Sequence, residues 1–124
     1  MILIIGGAYQ GKLDFAKNKL GVQEKDIHSC KSAEIDFSKS CIYQLEAFAC
    51  ACVEQGIDPA AYFRSNKDKW KDSVLICEDI FCGVVPVDAR QRQWRQVTGR
   101  LCQYLTGEAD RVSRVFCGLE QRLK

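Results

Sequence analysis

Several features that mark whole classes of protein are missing from this sequence. Among its 124 residues, no apolar run is long enough to cross a bilayer, and the start has neither the basic region nor the cleavage site of a signal peptide. Basic residues barely outnumber acidic ones, 18 against 16, so charge gives no argument for a nucleic-acid or membrane partner. We therefore expect a cytoplasmic protein with no membrane span, no nucleic-acid partner and one domain over residues 1–124.

Histidine and the usual metal-ligand spacings are also scarce. The one histidine is His28, and the eight cysteines include no C-x-x-C pair. Cys50 and Cys52 have one residue between them, and neither a second pair nor a histidine lies nearby. Without a secretion signal, we interpret the cysteines as reduced, small, buried residues. A thiol or metal protein is the alternative, and the spacing disfavours it.

The most informative stretch is the N-terminus, MILIIGGAYQGKL. Residues 1–5 form an apolar run typical of a strand buried on both faces, and residues 13–19 are predicted to be helical. Between them, residues 6–12 fit the phosphate-binding pattern G-x-x-x-x-G-K-[ST], except that Leu13 stands at the last position. The predicted nucleotide-binding residues are Gly6, Gly7, Ala8, Tyr9, Gln10, Gly11, Lys12 and Leu13.

The physical basis of this pattern is backbone geometry. Glycines let several N–H groups point at one phosphate chain, and the helix N-terminus adds partial positive charge. Lys12 would reach the outer phosphates as a catalytic group. A serine or threonine would place a hydroxyl on Mg²⁺, which Leu13 cannot do. The alternative is a glycine turn that binds nothing.

A second apolar strand, residues 73–77, ends in Glu78-Asp79. In phosphate-loop proteins an acid at the end of such a strand holds Mg²⁺, directly or through water. Because ligands bind at the carboxyl ends of parallel strands, we predict Glu78 and Asp79 as metal-binding and catalytic residues beside Lys12. The alternative is that these acids only mark the solvent end of the strand.

The remaining pattern predicts alternating strands and helices. We expect a weak strand at 26–30, helices at 39–55, 59–70 and 89–105, and a last strand at 112–116. The predicted N-caps of the three helices are Ser38, Asp58 and Asp88, and Gly107 is predicted to end the last helix. This order predicts an α/β fold like that of phosphate-loop NTPases, a mainly parallel sheet with helices on both faces. The last helix is rich in arginine, and Arg92 and Arg95 are candidate phosphate ligands, although such a helix can equally be an ordinary exposed one.

The C-terminal half resembles a known family. Residues 78–86, EDIFCGVVP, look like the segment N-E-V-G-x-G-I-V-P of the adenosylcobinamide kinase/adenosylcobinamide-phosphate guanylyltransferase family. The residues that continue this match in the same order are Arg92, Trp94, Arg95, Gly99, Arg100, Leu101, Gln103, Leu105, Ala109, Asp110, Val112 and Gly118. Residues 4–12 are similar to the family's opening, I-x-G-G-A-R-S-G-K-S. Together these segments cover about half of the chain.

The resemblance implies a nucleotide-binding protein of cobalamin biosynthesis. The family uses GTP or ATP, with Mg²⁺, to phosphorylate the side-chain hydroxyl of adenosylcobinamide. It then transfers GMP through a guanylylated histidine, and its members assemble as small homo-oligomers. A corrinoid partner and a homo-oligomer are therefore expected here.

The sequence also departs from the family. It is short in the middle, where the family carries the guanylylated histidine and an additional strand ending in an acid, and His28 lies ahead of that place. Leu13, Tyr9, Asp79 and Cys102 replace the family's hydroxyl residue, arginine, glutamate and asparagine. We expect GTP or ATP binding with kinase activity open, and we do not expect guanylyl transfer. The alternative is a nucleotide- or corrinoid-binding or regulatory protein without turnover.

Overall fold

The computed structural model, which describes residues 1–124, is a six-stranded sheet with helices on both faces. The strands lie in the order β2-β3-β4-β1-β5-β6; all neighbours are parallel except β5 and β6. The strands are β1 (Ile2–Gly6), β2 (Ile27–Ser29), β3 (Cys41–Tyr43), β4 (Val74–Glu78), β5 (Arg111–Phe116) and β6 (Leu119–Arg122). The helices are α1 (Lys12–Leu20), α2 (Leu45–Gln55), α3 (Pro59–Ser65), α4 (Lys67–Trp70) and α5 (Ala89–Glu108). The predicted α/β class is confirmed.

Local signals in the sequence explain several helix ends. Asp58 accepts a hydrogen bond from the Ala60 amide at 3.0 Å, and Pro59 occupies the first helical position of α3. Asp88 accepts one from the Arg90 amide at 2.7 Å and begins α5. These two predicted caps are confirmed. None of the helices has the length and apolar character needed to cross a membrane.

Alternate residues of the central strand β1 enter two different apolar layers. Leu3 packs in the larger cluster beneath α2, α3 and α5, whereas Ile4 packs in the smaller cluster beneath α1. In the larger cluster the Trp70 indole donates a 2.7 Å hydrogen bond to the Phe63 carbonyl. Each fully buried aliphatic side chain contributes about 1.5–3 kcal/mol. Burial on both faces therefore fixes β1, and with it the loop that follows.

The predicted helix over residues 39–55 is wrong in its first part. Residues Cys41–Tyr43 form β3, which pairs in parallel with β2 and β4. Gln44 then turns with a φ of 66°, and α2 begins at Leu45. Ser38 caps no helix, because its hydroxyl and amide both bond to Asp36. The chain therefore has a strand in the middle that the sequence analysis did not predict.

Two further boundaries differ from the prediction. Helix α5 continues through Gly107 to Glu108, and the helix predicted over 59–70 is divided at Asn66 into α3 and α4.

The C-terminal tail forms β6, which pairs with β5 through a two-residue turn at Cys117 and Gly118. Both turn residues have positive φ, 49° and 77°, as hairpin turns of this length require.

Candidate functional site

The loop of residues 6–12 (the 6–12 loop) leaves the carboxyl end of β1, at the centre of the sheet. Its neighbours β4 and β5 are parallel to β1, so the ends of these three strands meet at one edge. The Asp79 amide, just after β4, donates a 2.7 Å hydrogen bond to the Gly6 carbonyl. The fold thus brings Glu78 and Asp79 to the 6–12 loop, as the order of the elements predicted.

The backbone amides of this region have no hydrogen-bond acceptor within the protein. No amide from residue 7 to residue 14 donates a hydrogen bond within the chain. The last of these belong to the first turn of α1, where N–H groups have no intrahelical acceptor. Such a run of free donors beside the positive end of a helix is the arrangement that binds phosphate groups.

Lys12 is a buried basic residue at the end of the same loop. Its side chain is 7% exposed, and its Nζ lies 3.9 Å from Glu78 Oε1. The same Nζ donates a 2.6 Å hydrogen bond to the Gly7 carbonyl. Above it is a cavity of about 380 Å³, here called the loop cavity. Its lining residues are Ala8, Tyr9, Gln10, Gly11, Lys12, Leu13, Asp14, Tyr43, Gln44 and Glu78.

The two acids that follow β4 face different surroundings. Glu78 lines the loop cavity. Asp79 is directed into the segment after it: its Oδ1 accepts a 3.0 Å hydrogen bond from the Phe81 amide, and its Oδ2 lies 3.5 Å from Cys82 Sγ. Of the predicted pair, only Glu78 faces the loop cavity.

The structure places a further carboxylate next to Glu78 that the sequence analysis missed. Glu46, in the first turn of α2, accepts a 2.9 Å hydrogen bond from the Glu78 amide. Burial raises the pKa of Glu46 above its ordinary value, and the Glu78 carboxylate adds to this effect, whereas the Glu78 amide and Lys12 oppose it. The signal that could have found Glu46 is strand β3, because a residue that follows a strand of the parallel sheet lies at the same edge as Glu78.

Mg²⁺ commonly binds through one or two carboxylates, several waters and the phosphates of a substrate. Glu78 satisfies this requirement, since it lines the loop cavity beside Lys12. Leu13 offers no ligand, and no group of three or more His, Cys, Asp or Glu side chains is arranged to hold a metal by itself. The donor set therefore fits a metal that arrives with phosphates, and the carboxylates that line the loop cavity beside Lys12 are Glu78 and Asp14.

The C-terminal hairpin supports the 6–12 loop from the other side. The Cys117 amide donates a 2.6 Å hydrogen bond to Gln10 Oε1, and the Gly118 amide donates a 2.9 Å bond to the Gln10 carbonyl. Gly11 has a φ of 93°, and a side chain there would lie 3.5 Å from Gly118 Cα. The turn at residues 117–118 thus fixes the shape of the 6–12 loop across more than 100 residues of sequence.

Arg92 and Arg95 are not brought to the loop cavity. Arg92 donates to the carbonyls of Pro86 and Val87, and Arg95 donates to that of Val84 and to that of Phe81. Neither residue lines the loop cavity. Both guanidinium groups hold the segment between β4 and α5, so the structure does not favour a phosphate-binding role for them.

The histidine and the thiols lie outside this site. His28 Nε2, on β2, is buried and has no hydrogen-bond partner. All eight cysteines are free, but the interpretation that they are buried is wrong for Cys82 and Cys117, which are exposed. Burial raises the pKa of Cys30 to about 12 and those of Cys41 and Cys52 to about 11, so these thiols stay neutral.

Comparison with known proteins places the chain in a family. A sequence model of the family described as cobinamide kinase / cobinamide phosphate guanyltransferase matches residues 51–123, more than half of the chain. The match includes Glu78, the segment before α5 and the C-terminal hairpin, and the 6–12 loop precedes it. No curated protein matches the chain. The chain belongs to the cobinamide kinase / cobinamide phosphate guanyltransferase family.

Proposed function

We propose that the chain binds GTP or ATP at the 6–12 loop and phosphorylates the side-chain hydroxyl of cobinamide. The observation that carries this proposal is the run of free amides over residues 7–14 around the buried Lys12. Family membership supports the choice of cobinamide as the acceptor. A cytoplasmic location and assembly into a homo-oligomer stay predictions.

Each group in the site has a role in this reaction. The amides hold the β- and γ-phosphates, Lys12 stabilises negative charge on the outer phosphate, and Glu78 is the ligand for Mg²⁺. When bound, Mg²⁺ would neutralise charge on the same phosphates. The acceptor oxygen forms a bond to the γ-phosphorus, and the bond from that phosphorus to the bridging oxygen breaks. The nucleoside diphosphate leaves with the electron pair, and the hydroxyl proton passes to solvent.

Binding without turnover is the second candidate, and Leu13 favours it. A hydroxyl at that position would ligate Mg²⁺, and phosphoryl transfer depends almost entirely on such positioning. Under this candidate the chain holds a nucleotide or a corrinoid and releases no product. Creation of Mg²⁺-dependent hydrolysis by Leu13→Ser in an otherwise inactive chain would support it.

The proposal leaves out guanylyl transfer. That reaction implies a histidine that attacks the nucleotide, and the one histidine of this chain has a buried Nε2 on β2. His28 is also absent from the lining of the loop cavity. We therefore expect no guanylylated form of the protein after incubation with GTP.

The test is transfer of labelled γ-phosphate from ATP or GTP to cobinamide. Lys12→Met keeps the aliphatic length and removes the charge, and we expect it to lower the rate by about 10²–10³-fold. Lys19→Met is the matched control, because Lys19 is an exposed lysine of the same helix outside the loop cavity. Transfer by Lys12→Met at the wild-type rate would reject the proposal. Tight nucleotide binding by the wild type with no product would favour the second candidate.

A further inference from the structure

A second cavity, of about 390 Å³, lies on the side of α2 that faces α5; we call it the Trp94 cavity. Ala47, Cys50 and the Trp94 ring supply apolar surface, and Lys31, Glu46 and Glu54 supply charged groups. The Trp94 indole is held in place by a 2.7 Å hydrogen bond from its Nε1 to the Glu46 carbonyl. The cavity therefore has a fixed aromatic wall and a carboxylate.

Glu46 connects this cavity to the loop cavity. It lines the Trp94 cavity, and its Oε2 accepts the 2.9 Å hydrogen bond from the amide of Glu78, which lines the loop cavity. Glu46 takes part in none of the chain's ion pairs, and no side chain donates a hydrogen bond to its carboxylate. Its carboxylate thus has acceptor capacity left, one hydrogen bond away from a residue that lines the loop cavity.

We propose that the Trp94 cavity is the binding site for the phosphoryl acceptor, an alcohol whose hydroxyl donates a hydrogen bond to Glu46 while its apolar part rests on Trp94 and Ala47. This proposal rests on the proposed function, because it assigns the second substrate of the same reaction. It gives Glu46 the role of binding the acceptor hydroxyl, to which neither the phosphate-loop pattern nor the family resemblance assigns a residue.

The size and chemistry of the cavity suit part of an acceptor. A volume of about 390 Å³ is at the lower end of the volumes of ligand-binding sites. The cavity therefore has room for a hydroxyl-bearing side chain of the acceptor, while the rest of a larger acceptor stays outside. A half-buried carboxylate that accepts one hydrogen bond from a hydroxyl gives orientation, and an aromatic wall gives contact area. Orientation of the attacking oxygen is the main task left to the protein in phosphoryl transfer.

Two substitutions in the cavity and one control test the proposal with cobinamide as acceptor. Ala47→Leu fills the cavity, and Glu46→Gln keeps an oxygen for the Glu78 amide but puts an NH₂ donor in place of the other oxygen. We expect each to raise the KM for cobinamide about tenfold or more, while the KM for the nucleotide stays within about twofold. Ala61→Leu, on α3 and lining neither cavity, is the control and should leave both constants unchanged.

The outcomes separate this proposal from the proposed function. Active transfer with wild-type cobinamide KM in both cavity variants would overturn the acceptor site and leave the kinase activity standing. If the wild type shows no transfer, the proposed function fails, and the site is then tested through quenching of Trp94 fluorescence by cobinamide. Quenching that is smaller in Trp94→Phe, which keeps only Trp70, and smaller in Ala47→Leu would support the site. Absence of quenching would overturn it. If Ala47→Leu does not fold, Glu46→Gln decides alone.

Discussion

Replacement of Gly6 by alanine should destabilise the fold at the point where the 6–12 loop leaves the sheet. A Cβ atom at Gly6 would lie 2.4 Å from the Val115 carbonyl oxygen and 3.4 Å from two carbons of Lys12. The Val115 oxygen belongs to the backbone of β5, which pairs with β1, so it cannot turn away as a flexible side chain would. The two strands have to move apart.

The size of this effect follows from the contact distances. The separation must grow from 2.4 Å to at least 3.0 Å, and the movement occurs between two central strands. Forcing extra atoms into a well-packed interior costs about 1–3 kcal/mol. We expect Gly6→Ala to lower the free energy of unfolding by this amount. Because the 6–12 loop begins at this residue, nucleotide affinity should also fall.

Urea unfolding of Gly6→Ala and Gly7→Ala gives a matched comparison. At Gly7 a Cβ would meet only Gln10 Cγ, at 3.6 Å, which is an ordinary contact. An alanine there also reduces the conformational entropy of the unfolded chain, so Gly7→Ala should be neutral or stabilising by up to about 1 kcal/mol. Equal unfolding free energies for the two variants would refute the close approach of β1 and β5 at Gly6.

Three further predictions concern other parts of the chain. Gln10→Ala removes the side-chain acceptor of the Cys117 amide and keeps the carbonyl that accepts from Gly118, so we expect a loss of about 0.5–1.5 kcal/mol in the free energy of unfolding and weaker nucleotide binding by calorimetry; unchanged affinity would contradict it. Gly107 lies inside α5, and an added Cβ would have no atom within 4 Å, so Gly107→Ala should stabilise the protein by about 0.5–1 kcal/mol in urea unfolding. A loss of stability would show that the helix ends earlier. Hydrogen bonds from Ser113 and Arg111 hold the pKa of Glu120 below its ordinary value of 4.5, so its contribution to stability is complete above pH 4.5 and is lost as the pH falls through the folded-state pKa. Glu120→Gln should therefore flatten the fall of Tm below pH 4.5, and a wild-type slope in this variant would contradict that origin.

The elements that the sequence predicted well have signals that are complete within a few residues. Strands β1 and β4 are continuous apolar runs, and α3 and α5 begin at Asp58 and Asp88, whose side chains cap them. Because the parallel sheet fixes which strand ends meet, the neighbourhood of Lys12 and Glu78 also followed from the sequence.

The parts that the sequence did not predict depend on contacts between distant residues. Ile42 of β3 recurs with Leu45 and Phe48 at helical spacing, so the pattern merges this three-residue strand with the helix after it and hides the start of α2 just before Glu46. Strand β6 is exposed along its whole length and has no apolar periodicity, since pairing with β5 alone defines it. The arginines of α5 have suitable chemistry for phosphate, but their direction depends on how the segment before α5 folds.

Calorimetric titration of the chain with GTP and ATP, each with and without Mg²⁺, tests whether the 6–12 loop binds nucleotides. We predict binding of at least one nucleotide that Mg²⁺ tightens through Glu78, and loss of that binding in Lys12→Met but not in Lys19→Met. No binding of either nucleotide by the wild type, or equal binding by Lys12→Met, would contradict the account.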